Sequence, residues 1–182
     1  TPVFRDVNVA IARTSPAYDG QPEIREIEAL YLTAIASARQ SIYLESQYFS
    51  AHRISEALER RLTEPDGPEV VIVNPKRAQG WLEEMVMGAA RALLFEQLKK
   101  ADRYDRLRFC TPVTAGGADI YVHAKVLVVD DALLRVGSSN INNRSMGLDT
   151  ECDLAVEAQR GDPSASAVRV AILRIRDSLI AE

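Results

Sequence analysis

Segments with helical and strand-like hydrophobic spacing alternate along the first half of the chain. The stretch PEIREIEALYLTAIASARQ (22–40) carries apolar residues at helical intervals behind a proline and an acidic first turn. The next stretch, SIYLESQYF (41–49), is rich in aromatic and β-branched residues and predicts a strand. A helix over RISEALERRL, an apolar strand over EVVIVN (69–74) and a long helix from GWLEE onward continue the order. This alternation is typical of an α/β layer architecture.

The second half adds strands that follow one another more closely. LRFCTPV (107–113) predicts a strand, and DIYVHAKVLVVD and ALLRVGS, joined through Asp131, predict a hairpin. ECDLAVEA (151–158) predicts a last strand before an amphipathic helix. We therefore expect a single α/β domain over residues 1–182, with a mixed, largely parallel sheet flanked by helices on both faces. The first residue is Thr1 and the last helix lacks a C-cap, so we expect a domain cut at both ends of a longer chain.

Composition narrows the classes of partner. A formal net charge of -4 argues against a surface that neutralises many phosphates of a nucleic acid. A single anionic headgroup remains compatible with this charge. No apolar run reaches the roughly 18 residues of a membrane span, so we expect a cytoplasmic protein or one peripheral to the membrane. Cys110 and Cys152 lie in apolar runs, which predicts buried thiols rather than a disulfide.

The stretch YVHAKVLVVDDALLRVGSSNINNRSM (121–146) concentrates polar residues at strand spacing. On a strand, His123 and Lys125 leave one face of the sheet together, while Ala124 and Val126 point into the opposite layer. A lone histidine in an apolar strand is usually a core residue, and a lone lysine an edge charge. The next feature of the stretch decides between these interpretations.

The following strand ends in a glycine and two polar residues of equal parity. Gly137 lacks a Cβ and would let backbone approach a ligand, and Ser138 and Asn140 share a face. The string His-x-Lys-x4-Asp-x6-Gly-Ser-x-Asn fixes six positions, and its chance occurrence in a chain of this length is roughly one in 10⁵ to 10⁶. We therefore interpret the stretch as a pocket for a small anion.

These residues spell the HKD motif of the phospholipase D superfamily, which the chain resembles. The motif residues are His123, Lys125, Asp130, Gly137, Ser138 and Asn140. The resemblance continues through INNRSMGLDTECDLAV, where Glu151 stands at the position of the family's acidic partner, and includes YLESQYF and GWLEE. It extends from about residue 25 to the end and is greatest to the C-terminal lobe of a two-motif phospholipase D or phosphatidyltransferase.

The resemblance implies a metal-independent phosphodiesterase that works through two histidines. One histidine attacks phosphorus and becomes a phosphohistidine, and the other protonates the leaving alcohol. His123, Lys125 and Glu151 are then the catalytic residues, with Glu151 accepting a ring N–H of His123. Lys125, Ser138 and Asn140 would bind the substrate phosphate. No metal or other cofactor is expected.

Asp130 and Gly137 are the two motif residues to which we assign structural roles. Asp130 lies five residues after Lys125, an odd separation that places the two side chains on opposite faces of a strand, so we expect Asp130 to point away from the pocket. We expect it to pair with an arginine such as Arg144.

The chain contains only one such motif. His52 is not a second copy, because no lysine stands two residues later, and we expect a surface or capping residue there. Either the chain is the second lobe of a longer enzyme whose missing N-terminal lobe carries its own HKD motif, or its site forms with a homodimer mate. The apparently cut ends favour the first arrangement.

The substrate remains open between three classes. Hydrolysis or transfer of the phosphatidyl group of glycerophospholipids is the main expectation, with cardiolipin synthase-like transfer and a homodimeric endonuclease as alternatives. The acidic balance disfavours nucleic acid, and peripheral membrane contact is compatible with a phospholipid substrate. Trp81, Leu82, Tyr48 and Phe49 are candidates for an apolar interfacial surface or for the core.

Overall fold

The structure is a computed structural model that describes residues 2–76 and 81–181, except for the side chains of residues 81–89. In this part the chain forms one eight-stranded sheet and five helices. The strands are β1 (Ala10–Ser15), β2 (Ile24–Arg25), β3 (Ser41–Glu45), β4 (Glu69–Val73), β5 (Leu107–Cys110), β6 (Val126–Val129), β7 (Leu133–Gly137) and β8 (Glu151–Glu157). The helices are α1 (Glu26–Ser37), α2 (His52–Thr63), α3 (Trp81–Ala101), α4 (Asn143–Gly147) and α5 (Ala165–Ala181).

The sheet is mixed, with the strand order β2-β1-β8-β7-β6-β3-β4-β5. Parallel pairing joins β3 to β4 and β4 to β5, where α2 and α3 provide the crossover connections. The other pairs are antiparallel, and β6 and β7 form the predicted hairpin. The α/β class and the mixed sheet are confirmed. The expected predominance of parallel pairs is wrong, because among the described residues two strand pairs are parallel and five are antiparallel; the parallel ones are those joined by crossover helices.

Helices cover both faces of the sheet, as predicted. One core joins the sheet to α1, α2 and α3, and its α1 residues Ile27, Tyr31, Ala34 and Ile35 recur at helical spacing. A second core lies on the opposite face, where Val168 and Ile172 of α5 pack with residues of the central strands. No helix in the described part of the chain is long and apolar enough to cross a membrane.

Three local features differ from the sequence-based expectations. The strand β1 was not predicted, although it pairs with β8 along its length. Cys110 and Cys152 are exposed free thiols rather than buried ones, because their neighbours along each strand, not they themselves, face the cores. Phe49 is buried in the core, which excludes it from an interfacial surface.

Tyr31 of α1 leads to a prediction about alkaline stability. Burial raises the pKa of its phenol from 10.0 to about 12. The folded state thus favours the neutral phenol, so this contribution to stability is complete below pH 10 and is lost as the pH rises toward 12. Wild type should lose about 2 kcal/mol more of its unfolding free energy between pH 8 and pH 11.5 than Tyr31→Phe, which cannot ionise.

Urea unfolding at pH 8, 10 and 11.5 measures this difference. Tyr18→Phe is the control, since Tyr18 is 80% exposed and its removal should leave the alkaline loss unchanged. An equal alkaline loss in Tyr31→Phe and wild type would contradict the assignment.

Candidate active site

The segment 121–125, which contains His123 and Lys125, lies just before the start of β6 rather than within it. Val126, the first residue of β6, pairs with Glu45 at the end of β3 and with Val136, one residue before the end of β7. The carbonyl of Lys125 still accepts a hydrogen bond from the Gly137 N–H at 3.3 Å. Without strand partners the earlier residues leave the sheet, so the strict alternation expected for Ala124, which is exposed, does not hold. His123 is exposed and Lys125 is half-buried.

Gly137 is required by packing inside the sheet. It lies opposite Asp153 of β8, and a Cβ at this position would come within 2.0 Å of Asp153 Oδ1 and 2.6 Å of its Cα. The close approach of backbone to a ligand that the sequence suggested here stays a prediction. The close approach that the structure shows is to Asp153 of the neighbouring strand.

A buried ion pair lies beneath this part of the site. Arg135 and Asp153 are fully buried, and Arg135 Nε donates to Asp153 Oδ2 at 2.8 Å. Asp153 also accepts from the Ser139 backbone N–H at 3.2 Å and from its hydroxyl at 2.7 Å. The guanidinium of Arg135 lies 4.9 Å from the centre of the Tyr31 ring. The pair therefore fixes Ser139, which separates the two motif residues Ser138 and Asn140.

Glu151 is held by two serine hydroxyls. Ser138 Oγ donates to one carboxylate oxygen at 2.5 Å, and Ser145 Oγ donates to the other at 2.6 Å. Each serine also accepts a backbone N–H, from Cys152 at 3.1 Å and from Asn140 at 3.2 Å respectively. These bonds direct both hydroxyl protons to Glu151. The predicted contact of Glu151 with the His123 ring is not among the hydrogen bonds of the described residues.

Asn140 lies at the junction of this network with the β3 side of the site. Ser46 is buried just after β3; its hydroxyl donates to the Tyr48 carbonyl at 2.8 Å and lies 3.4 Å from Asn140 Oδ1. Ser46 Oγ also accepts the Ile141 N–H at 3.1 Å. Ser145 is positioned by α4, whose N-cap Asn142 accepts the Ser145 N–H at 2.7 Å. The structure thus brings Ser138, Asn140 and Glu151 into one hydrogen-bonded group.

Asp130 faces away from the other motif residues and joins two parts of the backbone. The prediction that it pairs with an arginine such as Arg144 is wrong. Its carboxylate accepts three backbone N–H groups, from Arg39 at 2.9 Å and from Gln40 and Ser41 at 2.8 Å. It thereby connects the β6–β7 turn, where its own φ is 54°, to the start of β3. Arg144 pairs with Asp149 instead, at 2.6 Å. A carboxylate that satisfies three backbone donors needs no arginine.

Lys125 is a half-buried cation whose surroundings shift its pKa. Burial lowers the pKa of its ammonium, and nearby Arg135 acts in the same direction, whereas the negative charge of Glu151 acts to raise it. Lys125 Nζ donates to the His123 carbonyl at 2.7 Å and to Gln47 Oε1 at 3.4 Å. The site therefore holds a partly desolvated cation beside a carboxylate.

Sequence reasoning missed Gln47, Ser46, Ser145, Arg135 and Asp153. Gln47 and Ser46 belong to the quoted YLESQYF stretch, and this resemblance was the signal that could have identified them. His52 is exposed at the start of α2, as expected. The side chains of Trp81 and Leu82 lie outside the described residues. Among the described residues, no three His, Cys, Asp or Glu side chains gather in a group that could hold a metal ion.

Comparison with known proteins places the chain in a family. The family model described as "Cardiolipin synthase, PLD-like domain" matches residues 31–171, which are most of the chain and include the whole motif. The chain belongs to this PLD-like family, within the phospholipase D superfamily.

Two curated relatives illustrate the range of the family. Phospholipase D zeta 2 of Arabidopsis thaliana is 29% identical over an alignment 200 residues long, gaps included, which covers 85% of this chain and 18% of that protein. Cardiolipin synthase 1 of Bacillus anthracis is 27% identical over 149 residues, which cover 79% of this chain and 25% of that protein. The chain thus spans a quarter or less of the length of these relatives.

A solved structure supports the fold. The crystal structure of the phospholipase D family member Nuc from Salmonella typhimurium superposes with a TM-score of 0.64 at 18% identity. The superposition covers 94% of this chain and 93% of that one. At this identity the likeness concerns the fold alone.

Proposed function

We propose that the chain is one catalytic half of a phospholipase D-type phosphodiesterase that hydrolyses or transfers the phosphatidyl group of glycerophospholipids. The observation that supports this proposal most strongly is the complete HKD motif, which lies inside the segment that matches the cardiolipin synthase PLD-like domain. In this proposal His123 supplies one of two catalytic imidazoles. Lys125, Ser138 and Asn140 bind the nonbridging oxygens of the phosphate, and Glu151 acts through the groups around it.

The proposed reaction has two displacement steps at phosphorus. A neutral imidazole nitrogen of one histidine attacks phosphorus, and the bond to the leaving alcohol breaks as the second histidine, an imidazolium, donates its proton to that oxygen. The second imidazole, now neutral, takes a proton from water or an acceptor alcohol, whose oxygen displaces the first histidine. Lys125 offsets the negative charge that builds on the nonbridging oxygens in both steps.

The relatives support a phospholipid rather than a nucleic acid as the substrate class. Their names specify a phospholipase D and a cardiolipin synthase, and both names refer to phospholipids. The net charge of -4 agrees, because a nucleic acid groove needs a basic surface. Cardiolipin synthase-like transfer is the variant of this proposal in which an alcohol replaces water.

An exposed apolar stripe beside the site supports a partner that brings the second histidine. Ile11, Leu154 and Val136 lie directly opposite one another on β1, β8 and β7 and are 64%, 43% and 41% exposed. The stripe begins two residues before Ser138 on β7, and on β8 Leu154 lies three residues after Glu151, on the opposite face of the sheet. We propose that it packs against a second HKD-bearing lobe. A homodimer mate is the alternative.

Turnover of a chromogenic phosphodiester across a dilution series, with sizing of the same samples, tests this proposal. We expect no turnover by the chain alone at any concentration and turnover on mixing with a lobe that carries its own HKD motif. Leu154→Asp should weaken this complementation at least tenfold, because a charge would be buried in the contact. Leu93→Asp is the matched control, since Leu93 of α3 is 57% exposed and lies outside the stripe.

Two results would contradict parts of the proposal. Turnover by the chain alone that follows its dimer fraction would favour the homodimer over the second lobe. Cleavage of oligonucleotides but not of phosphatidylcholine vesicles by the active assembly would replace the phospholipid by a nucleic acid.

A further inference from the structure

Gln47 contacts both residues that flank His123 in the motif segment. Its Oε1 accepts from Lys125 Nζ at 3.4 Å, and its Nε2 donates to the hydroxyl of Tyr121 at 2.7 Å. Tyr121 and Lys125 stand two residues before and two after His123. This segment has left the sheet, so strand pairing does not fix it beyond Lys125. A single amide group therefore connects the segment to the chain following β3 at two points.

The chemistry of the partners determines the orientation of this amide. An ammonium group only donates hydrogen bonds, so the atom that faces Lys125 must be the oxygen. Nε2 then carries two N–H groups, and both are used, since it also donates to the Tyr48 hydroxyl at 3.0 Å. All three polar contacts of Gln47 are thus mutually consistent, which gives the side chain one preferred orientation.

The same contacts determine how Lys125 presents its charge. An ammonium has three N–H groups. In the described part of the chain its hydrogen bonds go to two acceptors, the His123 carbonyl and Gln47 Oε1. Because the three N–H directions are tetrahedral, occupying two of them sets the third, which is left for a phosphate oxygen. Both acceptors are neutral, so they orient the ammonium without cancelling its charge.

We propose that Gln47 is a positioning residue that clamps the motif segment on both sides of His123 and aims the Lys125 ammonium at the substrate phosphate. The catalytic consequence rests on the proposed function, whereas the clamp concerns only contacts within this chain. A carboxylate of the same shape would form an ion pair with Lys125 and compete with the phosphate. An apolar side chain of similar size would release Lys125 and Tyr121 together.

Lysine titration by NMR tests the clamp without requiring turnover. The chain has four lysines, so isotopic labelling of lysine gives few signals, and Lys125→Arg assigns the relevant one; the lysines are Lys76, Lys99, Lys100 and Lys125. Gln47→Leu should lower the pKa of Lys125 further, because the ammonium loses an acceptor. Gln47→Glu should raise it above the wild-type value. Tyr121→Phe, which keeps the contact between Gln47 and Lys125, should leave it near the wild-type value.

Inorganic phosphate serves as the probe of anion binding. Gln47→Glu should weaken its binding about tenfold, read from the shifts of the His123 and Lys125 signals, because the new charge opposes the anion. In the active assembly Gln47→Leu should reduce kcat about ten- to a hundredfold with a smaller change in KM, since misorientation affects the transition state most. Circular dichroism verifies that each variant is folded.

The results of these experiments test the clamp by Gln47 and the proposed phosphodiesterase function independently of each other. An unchanged Lys125 titration in both Gln47 variants would overturn the clamp, whatever the activity. Titrations that move in the two expected directions, with weaker phosphate binding in Gln47→Glu, support the clamp even if no phosphodiester is cleaved. In that last case it is the proposed function that fails.

Discussion

Asp153→Ala should lower the free energy of unfolding by about 3–5 kcal/mol. The substitution leaves the guanidinium of Arg135 fully buried without its counter-charge, and water cannot reach it in the folded state. It also removes the acceptor of the Ser139 N–H and hydroxyl. Since Ser139 lies between Ser138 and Asn140, the loss should disturb the site as well as the core.

Asp149→Ala is the matched control for this prediction. Asp149 pairs with Arg144, which is 71% exposed, so removing its carboxylate should cost less than about 1 kcal/mol. Urea unfolding followed by circular dichroism at neutral pH measures both variants. Similar losses in the two would show that the buried pair contributes no more than a surface one.

The regular elements were predictable because each follows from a short stretch of sequence. Apolar residues at helical spacing identified α2, α3 and α5 close to their observed bounds. They also identified α1, but the predicted stretch 22–40 was too long, because Ile24–Arg25 form β2. The HKD spacing predicted the candidate site, and the hairpin of β6 and β7 places two of its residues, Lys125 and Gly137, side by side. The spacing of apolar residues thus predicts helices and strands, and a motif predicts which side chains lie close together.

The buried ion pair was not predictable from the same patterns. Arg135 and Asp153 each interrupt an apolar strand, where a charge normally indicates the solvent-facing side. Their burial depends on β7 and β8 pairing in the register that sets Gly137 opposite Asp153, with Arg135 two residues away. Register between strands is a property of the whole sheet, which no short stretch encodes.

The partners of Asp130 and Glu151 were missed for a related reason. Asp130 binds backbone N–H groups about ninety residues earlier in the chain, and any sequence can supply such donors. Glu151 binds Ser145, which α4 positions, and this short helix has no hydrophobic period of its own. The pattern of side chains along the sequence identifies polar residues in unusual positions, but it does not identify the backbone groups to which they will hydrogen-bond.

His123→Ala should abolish turnover by the active assembly, with a loss of about 10⁴-fold or more. Under the proposed function this histidine either forms the bond to phosphorus or moves the proton of the leaving alcohol, and alanine can do neither. The side chain is exposed, so the fold and its unfolding free energy should be nearly unchanged.

Two further variants make the result specific to His123. His52→Ala removes the other histidine of the chain, which is exposed at the start of α2, and should leave turnover unchanged. Glu151→Gln keeps an acceptor for Ser138 or Ser145 but removes the charge beside Lys125, so it should reduce turnover by about ten- to a hundredfold. Kinetics with a soluble chromogenic diester, alongside circular dichroism, measure all three variants. If Glu151→Gln were the more damaging change in a folded protein, the carboxylate rather than His123 would carry the chemistry on this side of the phosphate.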